Sequence, residues 1–170
     1  MLGPHAPMLV AMEVRPATLE DCAALARGMK LVVDEGIWLA TEPAIPVEDL
    51  EQRFRFSVES DEHHPFVLLA EGEVVGGLGM NPTAARGVLA LGMWVLPEWR
   101  GRGGGRMLAE AAIAARPADV HKIELEVFTE NDAAVGLYRS LGFEQEGVRR
   151  DHYRREDGSL RSTLLMARLF

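Results

Sequence analysis

The segment from Gly87 to Phe128 restricts the fold more than any other part of the chain. It begins with the apolar stretch GVLALGMWVLP, which runs directly into the glycine loop of WVLPEWRGRGGGRML, and it ends with the apolar stretch KIELEVF. Between them, in GGGRMLAEAAIAAR, apolar residues recur at helical spacing, at positions 108, 111, 112 and 115. This order predicts a strand, a helix and a second strand, a unit typical of a partly parallel sheet.

Strand and helix patterns in the rest of the chain complete the predicted fold. Strands are expected in MLVAMEVRP, in PFVLLA and EVVGGLGMN around a tight turn at Gly72, and in a closing antiparallel pair, EQEGVRRDHYRR and SLRSTLLMARLF. Helices are expected in TLEDCAALARGMKLVVDEG, where Thr18 and Asp21 resemble a capping box, in VEDLEQRFRFSVES, and in NDAAVGLYRSLGF, which Gly142 is suited to end. The pattern predicts an α/β (α+β) fold with a mixed, partly parallel central sheet of about six to seven strands flanked by about four helices.

Composition and charge disfavour several classes of protein. A chain of 170 residues with 48% hydrophobic and 26% charged residues suits one globular domain, expected to cover residues 1–170 with a loose N-terminal extension at 1–9. The net charge of -8 disfavours nucleic acid as a partner. No apolar run reaches the ~20 residues that span a bilayer, and the first residues lack the basic start of a signal peptide. The single cysteine, Cys22, permits no internal disulfide and is expected in the core, so we expect a cytoplasmic protein with no membrane partner.

The glycine loop has the chemistry of an anion site. It carries four glycines and three arginines. Because glycine costs roughly 0.5–1 kcal/mol relative to alanine in regular structure, so many glycines indicate either a tight turn or a backbone that approaches a ligand closely. The first amides of a helix lack partners within the helix and favour negative charge. The spacing fits neither a P-loop, which needs a Lys-Ser/Thr pair, nor a dinucleotide-binding G-x-G-x-x-G pattern.

Two motifs and their order resemble the GCN5-related N-acetyltransferase (GNAT) family. Arg100-x-x-Gly103-x-Gly105, after a strand that ends in V-x-P, resembles the R/Q-x-x-G-x-G/A loop with which that family binds acetyl-CoA. NDAAVGLYRSLGF, residues 131–143, resembles the second motif of the family, N-x-x-A-x-x-x-Y-x-x-x-G-F. The final HYRREDGSLRSTLLMARL resembles its closing hairpin. The resemblance begins at Gly87 and implies a GNAT fold and acetyl-CoA as co-substrate.

The resemblance also implies a role for each matching residue. The strand before the loop would offer backbone groups to the pantetheine arm, and the loop amides would hold the pyrophosphate. Asn131 would touch the cofactor, Tyr138 would protonate the departing thiolate, and Glu126, five residues before the asparagine, would be the general base. The implied cofactor-binding residues are Met93, Trp94, Val95, Arg100, Gly101, Arg102, Gly103, Gly104, Gly105, Arg106 and Asn131. A backbone N–H near Val95 could stabilise the oxyanion, and no metal is required.

Each of these side chains also has a purely structural interpretation. Asn131 is a favoured helix N-cap, Tyr138 follows the apolar spacing of its helix, and Glu126 could form ion pairs or line a wet cleft. His152 in the closing hairpin is a second candidate for the base, and Trp38 either lines the acceptor side or packs beneath its loop. The five histidines have no convincing metal-ligand spacing, so no metal site is predicted.

The predicted function is transfer of an acetyl group from acetyl-CoA to a primary amine of a small molecule or a protein N-terminus, by direct attack in a ternary complex. Cys22 lies outside both motifs, which argues against an acetyl-cysteine intermediate. The alternative is a non-catalytic sensor or structural partner that binds CoA or acyl-CoA. The acceptor is left open among small amines, polyamines, amino-acid-like antibiotics and protein N-termini, and a homodimer is expected only by analogy with the family.

Overall fold

The computed structural model describes residues 10–170, and its centre is a mixed sheet of seven strands. The strands are β1 (Met12–Pro16), β2 (His64–Ala70), β3 (Glu73–Pro82), β4 (Val88–Val95), β5 (Lys122–Phe128), β6 (Glu144–Arg154) and β7 (Leu160–Leu169). The helices are α1 (Cys22–Asp34), α2 (Val47–Glu59), α3 (Gly104–Ala114) and α4 (Asp132–Ser140). The strand order is β1-β2-β3-β4-β5-β7-β6, and every neighbouring pair is antiparallel except β4 with β5.

Helices cover both faces of this sheet. A Cβ on Gly77 of β3 would lie 2.9 Å from the side chain of Leu25, which places α1 against that face. A Cβ on Gly104 would lie 2.5 Å from the side chain of Leu68 in β2, which places the start of α3 against Leu68. Leu68 pairs with Gly76, the neighbour of Gly77, and neighbouring residues of a strand face opposite sides. The two helices therefore pack on opposite faces.

The parallel pair of strands separates before either strand ends. The pairing of β4 with β5 stops at Leu91 and Leu125. Strand β4 continues to Val95 and stays paired with β3, whereas β5 continues to Phe128 and stays paired with β7. The sheet therefore opens between these two strand ends, directly before the glycine loop.

The predicted fold class is confirmed. The described residues form the mixed, partly parallel sheet and the four α-helices that the sequence patterns predict. Gly72 and Gly142 have φ values of +84° and +83°, as the predicted hairpin turn and helix end require. Strand β1 begins at Met12, later than the stretch MLVAMEVRP suggested, and residues 1–9, expected to form a loose extension, lie outside the described residues.

Asp21 joins β1 to the start of the first helix, which begins with a 3-10 turn at Leu19–Asp21. Its carboxylate accepts hydrogen bonds from the Thr18 N–H at 2.7 Å and, at 2.7 and 2.9 Å, from the guanidinium of Arg15. Asp21 is itself only 7% exposed. The hydrogen bonds from Arg15 are the main reason that the pKa of this carboxyl group falls from 3.8 to about 2. The residue after it, Cys22, is fully buried, as predicted.

Replacing Asp21 with asparagine is expected to lower the free energy of unfolding at pH 7 by about 1–2 kcal/mol. A carboxyl group whose pKa is lower in the folded state stabilises the fold above its unfolded pKa of 3.8, and this contribution is lost as the pH falls towards about 2. The difference between the two proteins should therefore shrink between about pH 5 and pH 2. Urea titrations at pH 7 and pH 3 measure it, and an equal difference at both pH values would exclude the charge of Asp21 as the cause.

Candidate active site

The opening between β4 and β5 lies in a cleft of about 910 Å³. One wall is residues 91–95 of β4, and the facing wall is residues 126–128 of β5. The glycine loop, the start of α3 and one face of α4 line one part of the cleft, which we call the cofactor side. Residues 38–41, between α1 and α2, and the inner face of α2 line another part, which we call the acceptor side. Both sequence motifs therefore meet in one cleft.

The glycine loop presents unpaired backbone amides on the cofactor side. Gly101 and Gly103 have φ values of +72° and +88°, in the left-handed region that favours glycine, and Gly103 is the N-cap of α3. The amides of Gly104, Gly105 and Arg106 begin the helix, so they have no partner within it, and they donate no backbone hydrogen bond to the other described residues. Such a helix start, with the positive end of its dipole, binds anions.

Arg100 joins this loop to the acceptor side. Its guanidinium donates hydrogen bonds to the two carboxylate oxygens of Glu35 at 2.9 and 2.6 Å, and its Nε donates to the carbonyl of Val95 at 3.0 Å. Glu35 follows directly after α1, where the segment that carries residues 38–41 begins. In the described structure Arg100 therefore fixes the position of the loop and directs its charge at Glu35.

The other two loop arginines also contact protein groups. The guanidinium of Arg102 lies over the ring of Trp99, 4.8 Å from its centroid, and Arg102 is not among the residues that line the cleft. Arg106 lines the cleft and donates a hydrogen bond to the hydroxyl of Ser140 at 2.7 Å. The anion-binding surface of the described loop is therefore its backbone amides, with Arg106 at its margin.

The strand before the loop meets the cleft through its backbone. Trp94 is 6% exposed, and its indole lies in the core, where a Cβ on Gly28 of α1 would come within 2.5 Å of it. Met93 and Val95 are half-buried. Because the pairing with β5 stops at Leu91, the backbone groups of this segment that face β5 have no strand partner. The carbonyl of Val95 accepts from Arg100, and the remaining groups are free to bind an extended ligand.

Tyr138 reaches the cleft from α4. It is 6% exposed and packs edge-on against Phe143, with ring centroids 5.7 Å apart, so its ring belongs to the core as the apolar spacing predicted. Its hydroxyl makes no hydrogen bond with the described residues, and burial alone raises its pKa to about 12. The phenol is therefore protonated at neutral pH, and its proton is available to a ligand in the cleft.

Asn131 caps α4 at the same cleft. Its Oδ1 accepts a hydrogen bond from the N–H of Ala134 at 3.2 Å, which is the N-cap geometry that the sequence predicted as the structural interpretation. Asn131 also lines the cleft. The cap therefore fixes this side chain beside the space that a ligand would fill.

Glu126 is the one carboxylate among the described residues that line the cleft. Its Oε1 accepts a hydrogen bond from the hydroxyl of Thr163 in β7. Its Oε2 accepts from the guanidinium of Arg149 at 3.1 Å and from the hydroxyl of Tyr153 at 3.3 Å. Glu126 is thus held in one orientation by three donors and remains a charged acceptor facing the cleft.

Glu126 and Glu124 share one face of β5, but they lie at different positions relative to the cleft. Glu124 pairs across the sheet with Ala90 of β4, before the strands separate, and its carboxylate lies 3.7 Å from Lys122. Glu126 comes after the last pair and faces the open cleft. Both carboxylates therefore form ion pairs, but only Glu126 lines the cleft.

Sequence reasoning missed the partners of Glu126. Thr163 is a polar residue within the apolar run STLLMARLF, and it is 2% exposed. A polar residue in such a run was the available signal, because a buried hydroxyl needs a hydrogen-bond partner. Tyr153 and Arg149 lie in β6, where their neighbours are nearly all exposed and polar, and no local pattern marked them. Burial raises the pKa of Tyr153, and the neighbouring charge of Glu126 adds to the effect.

Arg155 holds the acceptor-side segment in place. This residue follows β6, is 7% exposed, and donates hydrogen bonds to the carbonyls of Gly36 and Leu39 at 3.2 and 2.7 Å and to the carboxylate of Glu42 at 3.0 Å. The segment that it binds carries Trp38, which lines the cleft as one of the two predicted interpretations requires. The acceptor side is therefore braced from the closing hairpin.

His152, the second candidate base, is exposed, packs edge-on against Tyr153 with centroids 4.9 Å apart, and does not line the cleft. Within residues 10–170 no group of three or more His, Cys, Asp or Glu side chains could hold a metal ion. None of the helices in that range is long and apolar enough to cross a membrane.

Several curated proteins and many solved structures are similar to this chain. The chain is 39% identical to the N-alpha-acetyltransferase RimI of Mycobacterium tuberculosis over 107 residues, which cover 59% of this chain and 65% of that protein. It is 32% identical to the uncharacterized N-acetyltransferase YjgM of Escherichia coli over 148 residues, 84% of this chain and 85% of that protein. A crystal structure of a ribosomal-protein-alanine N-acetyltransferase from Brucella melitensis superposes with a TM-score of 0.83 at 28% identity, covering 93% of this chain and 99% of that one.

The sheet opens between two parallel strands and has unpaired helix-start amides at the opening, an arrangement suited to a phosphate-bearing ligand. The family model of the acetyltransferase (GNAT) family matches residues 32–143, more than half of the chain. The chain belongs to the GNAT family of acetyltransferases, as its two motifs predicted. The co-substrate of this family is acetyl-CoA. The unpaired amides of the glycine loop and of β4 fit the pyrophosphate and the amide-bearing pantetheine arm of that molecule.

Proposed function

We propose that this protein transfers an acetyl group from acetyl-CoA to a primary amine of a small molecule or a protein N-terminus, by direct attack in a ternary complex. One observation carries the proposal: a carboxylate, Glu126, and a protonated phenol, Tyr138, line the same cleft between the separated strands. A protein that only stored or sensed acyl-CoA would need neither group. We also propose that residues 1–170 act as a single acetyltransferase domain in the cytoplasm, as a monomer or a homodimer.

In this proposal the backbone holds the co-substrate and the side chains do the chemistry. The amides of residues 101–106 bind the pyrophosphate, and Arg106 supplies positive charge at its margin. Arg100 and Arg102 add charge there when they leave their contacts with Glu35 and Trp99. The backbone of Met93, Trp94 and Val95 pairs with the pantetheine arm, and Asn131 contacts it from the start of α4. Acetyl-CoA supplies the activated acetyl group as a thioester. An N–H donor near Val95 is placed to bind the carbonyl oxygen of that group.

Glu126 and Tyr138 move the two protons that the transfer requires. A protonated amine cannot attack a thioester, so Glu126 accepts a proton from the acceptor, directly or through a water molecule. Tyr138 then donates its proton to the sulfur of the departing thiolate. Cys22 is excluded as an acetyl carrier, because it is fully buried and burial raises the pKa of its thiol.

Calorimetry with acetyl-CoA and a thiol-release assay with a panel of amines test the proposal. Binding of acetyl-CoA together with amine-dependent release of CoA supports it. Binding without turnover for small amines and for peptide N-termini supports the alternative, a non-catalytic sensor. The absence of binding to acetyl-CoA, CoA and longer acyl-CoAs would leave the glycine loop as a simple turn and refute both functions.

Replacing Glu126 with glutamine is expected to lower kcat about 100-fold, because a neutral amide of the same shape cannot accept the proton. The single oxygen of glutamine can still accept from Arg149 and Tyr153, and its NH2 can donate to the hydroxyl of Thr163, so the fold should be retained. The matched control is Glu124→Gln, which removes a carboxylate from the same strand face outside the cleft. Steady-state rates across pH 6–9 measure both variants, and an equal loss in both would refute the role of Glu126.

A further inference from the structure

Four charged side chains line the cleft, and three of them are engaged elsewhere. They are Arg53, Arg100, Arg106 and Glu126. Arg100 pairs with Glu35, and Arg106 contacts Ser140 on the cofactor side. Glu126 forms an ion pair with Arg149. The charge of the fourth, Arg53, has no role in the cofactor binding or proton transfer proposed above.

Arg53 projects from α2 on the acceptor side. It is exposed, and its guanidinium makes no hydrogen bond or ion pair with the described residues. Ser57, one turn further along the same helix face, also lines the cleft. Arg55 of the same helix shows the contrast, because it pairs with Glu51 at 2.8 Å and does not line the cleft. Arg53 thus lines the acceptor side, and also a neighbouring groove that includes Asp49, without an ion pair to the described residues, whereas Arg55 is paired with Glu51.

The rest of the acceptor side is mostly apolar, with the hydroxyls of Thr41 and Ser57, and none of its described lining residues is acidic. Trp38, Leu39, Phe54 and Pro65 line it, and beyond Glu126 no carboxylate lines the described cleft. A polyamine or an aminoglycoside carries further ammonium groups that would need carboxylate partners here. The protein as a whole has a net charge of -8, so a carboxylate that enters this side of the cleft would need a nearby cation, and Arg53 lines it.

We propose that the acceptor is a small amino acid with a free carboxylate and an apolar side chain, and that Arg53 binds the carboxylate. This inference rests on the acetyl-transfer function proposed above and names its acceptor class. The amine of the acceptor lies towards Glu126, and its apolar side chain packs against Trp38 and Phe54. A guanidinium binds a carboxylate through two parallel hydrogen bonds, which orients the acceptor as well as attracting it.

Paired acceptors that differ only in the carboxylate test the inference. The pairs are phenylalanine with phenethylamine, and methionine with 3-(methylthio)propylamine; a peptide that begins with phenylalanine and spermidine represent the other acceptor classes. We expect kcat/KM for each amino acid to exceed that of its decarboxylated partner by about 10- to 100-fold, as for a charge-assisted hydrogen bond. In Arg53→Gln that ratio should fall to about one, mainly through KM, whereas Arg55→Gln should keep it. A preference for phenethylamine, spermidine or the peptide would overturn the inference.

A binding measurement separates the failure of this inference from the failure of the proposed function. Phenylalanine is titrated calorimetrically into the complex of the enzyme with CoA, for the wild type, Arg53→Gln and Arg55→Gln. Binding that is lost only in Arg53→Gln supports the inference independently of turnover. Equal binding in all three proteins, or none in the wild type, overturns it. In either of those cases amine-dependent turnover of another acceptor would leave the acetyl-transfer function standing.

Discussion

Replacing Tyr138 with phenylalanine is expected to lower kcat for acetyl transfer about 1000-fold while changing the Kd of acetyl-CoA less than about threefold. The phenol ring packs in the core against Phe143, so phenylalanine retains the packing and loses only the hydroxyl. That hydroxyl makes no hydrogen bond with the described residues, so its removal leaves no protein group without a partner. The loss should therefore fall on the departure of the thiolate and not on stability.

The pH dependence gives this prediction a second readout. A group with a pKa of about 12 is protonated, and able to donate, at every pH below that value. The wild-type rate should consequently show no alkaline loss attributable to Tyr138 below about pH 11. Stopped-flow measurement of CoA release, with calorimetry for the Kd, tests both points. A variant that keeps the wild-type kcat would refute the role of Tyr138 as the acid.

Replacing Gly103 with aspartate should weaken acetyl-CoA binding about 1000-fold. The residue has a φ of +88°, and no atom lies within 4 Å of the position of its Cβ, so the new side chain has room but sits in a strained backbone region. Its carboxylate would stand at the N-cap of α3, beside the amides proposed for the pyrophosphate. Two like charges about 4 Å apart at a protein surface repel by about 4 kcal/mol, which corresponds to the expected factor.

The chain offers a matched control for this substitution. Gly72, in the turn between β2 and β3, has a φ of +84°, and no atom lies within 4 Å of its Cβ position, so Gly72→Asp adds the same charge and comparable backbone strain away from the cleft. Isothermal titration with acetyl-CoA should show wild-type affinity for Gly72→Asp alone. Equal weakening in the two variants would assign the effect to strain or to net charge, and wild-type affinity in both would refute the pyrophosphate site.

The features that could be predicted from the sequence are those set by local spacing. The strand, glycine loop and helix follow from adjacent residues, and Asn131 as a cap and Tyr138 as a buried ring follow from helical periodicity. The pairing of Arg100 with Glu35 could not be predicted, because these residues lie 65 positions apart and meet only when the helices pack. Thr163 contacts Glu126 for a similar reason, since the sheet order sets β7 beside β5.

The same physical limit applies to the acceptor side. Arg53 and Arg55 have identical side chains two positions apart, and only the packing of α2 decides that one lines the cleft and the other pairs with Glu51. Spacing along a helix distinguishes its faces, but it does not say what each face meets. The sequence left open whether Trp38 lines the acceptor side or packs beneath its loop. The answer depends on the tertiary contact by which Arg155 holds that segment.

Because β4 and β5 separate early, the sheet has two lobes joined by a short run of paired residues, which we call the seam. Strands β1 to β4 form one lobe and β5 to β7 the other, and the seam consists only of the pairs from Val88 with Lys122 to Leu91 with Leu125. A ligand that binds between the separated ends of β4 and β5 would add contacts between the two lobes beyond the last residue pair of the seam. Acetyl-CoA would then hold the two lobes together as well as react. The rigidity of the protein and its resistance to local unfolding would therefore rise and fall with the concentration of its own substrate.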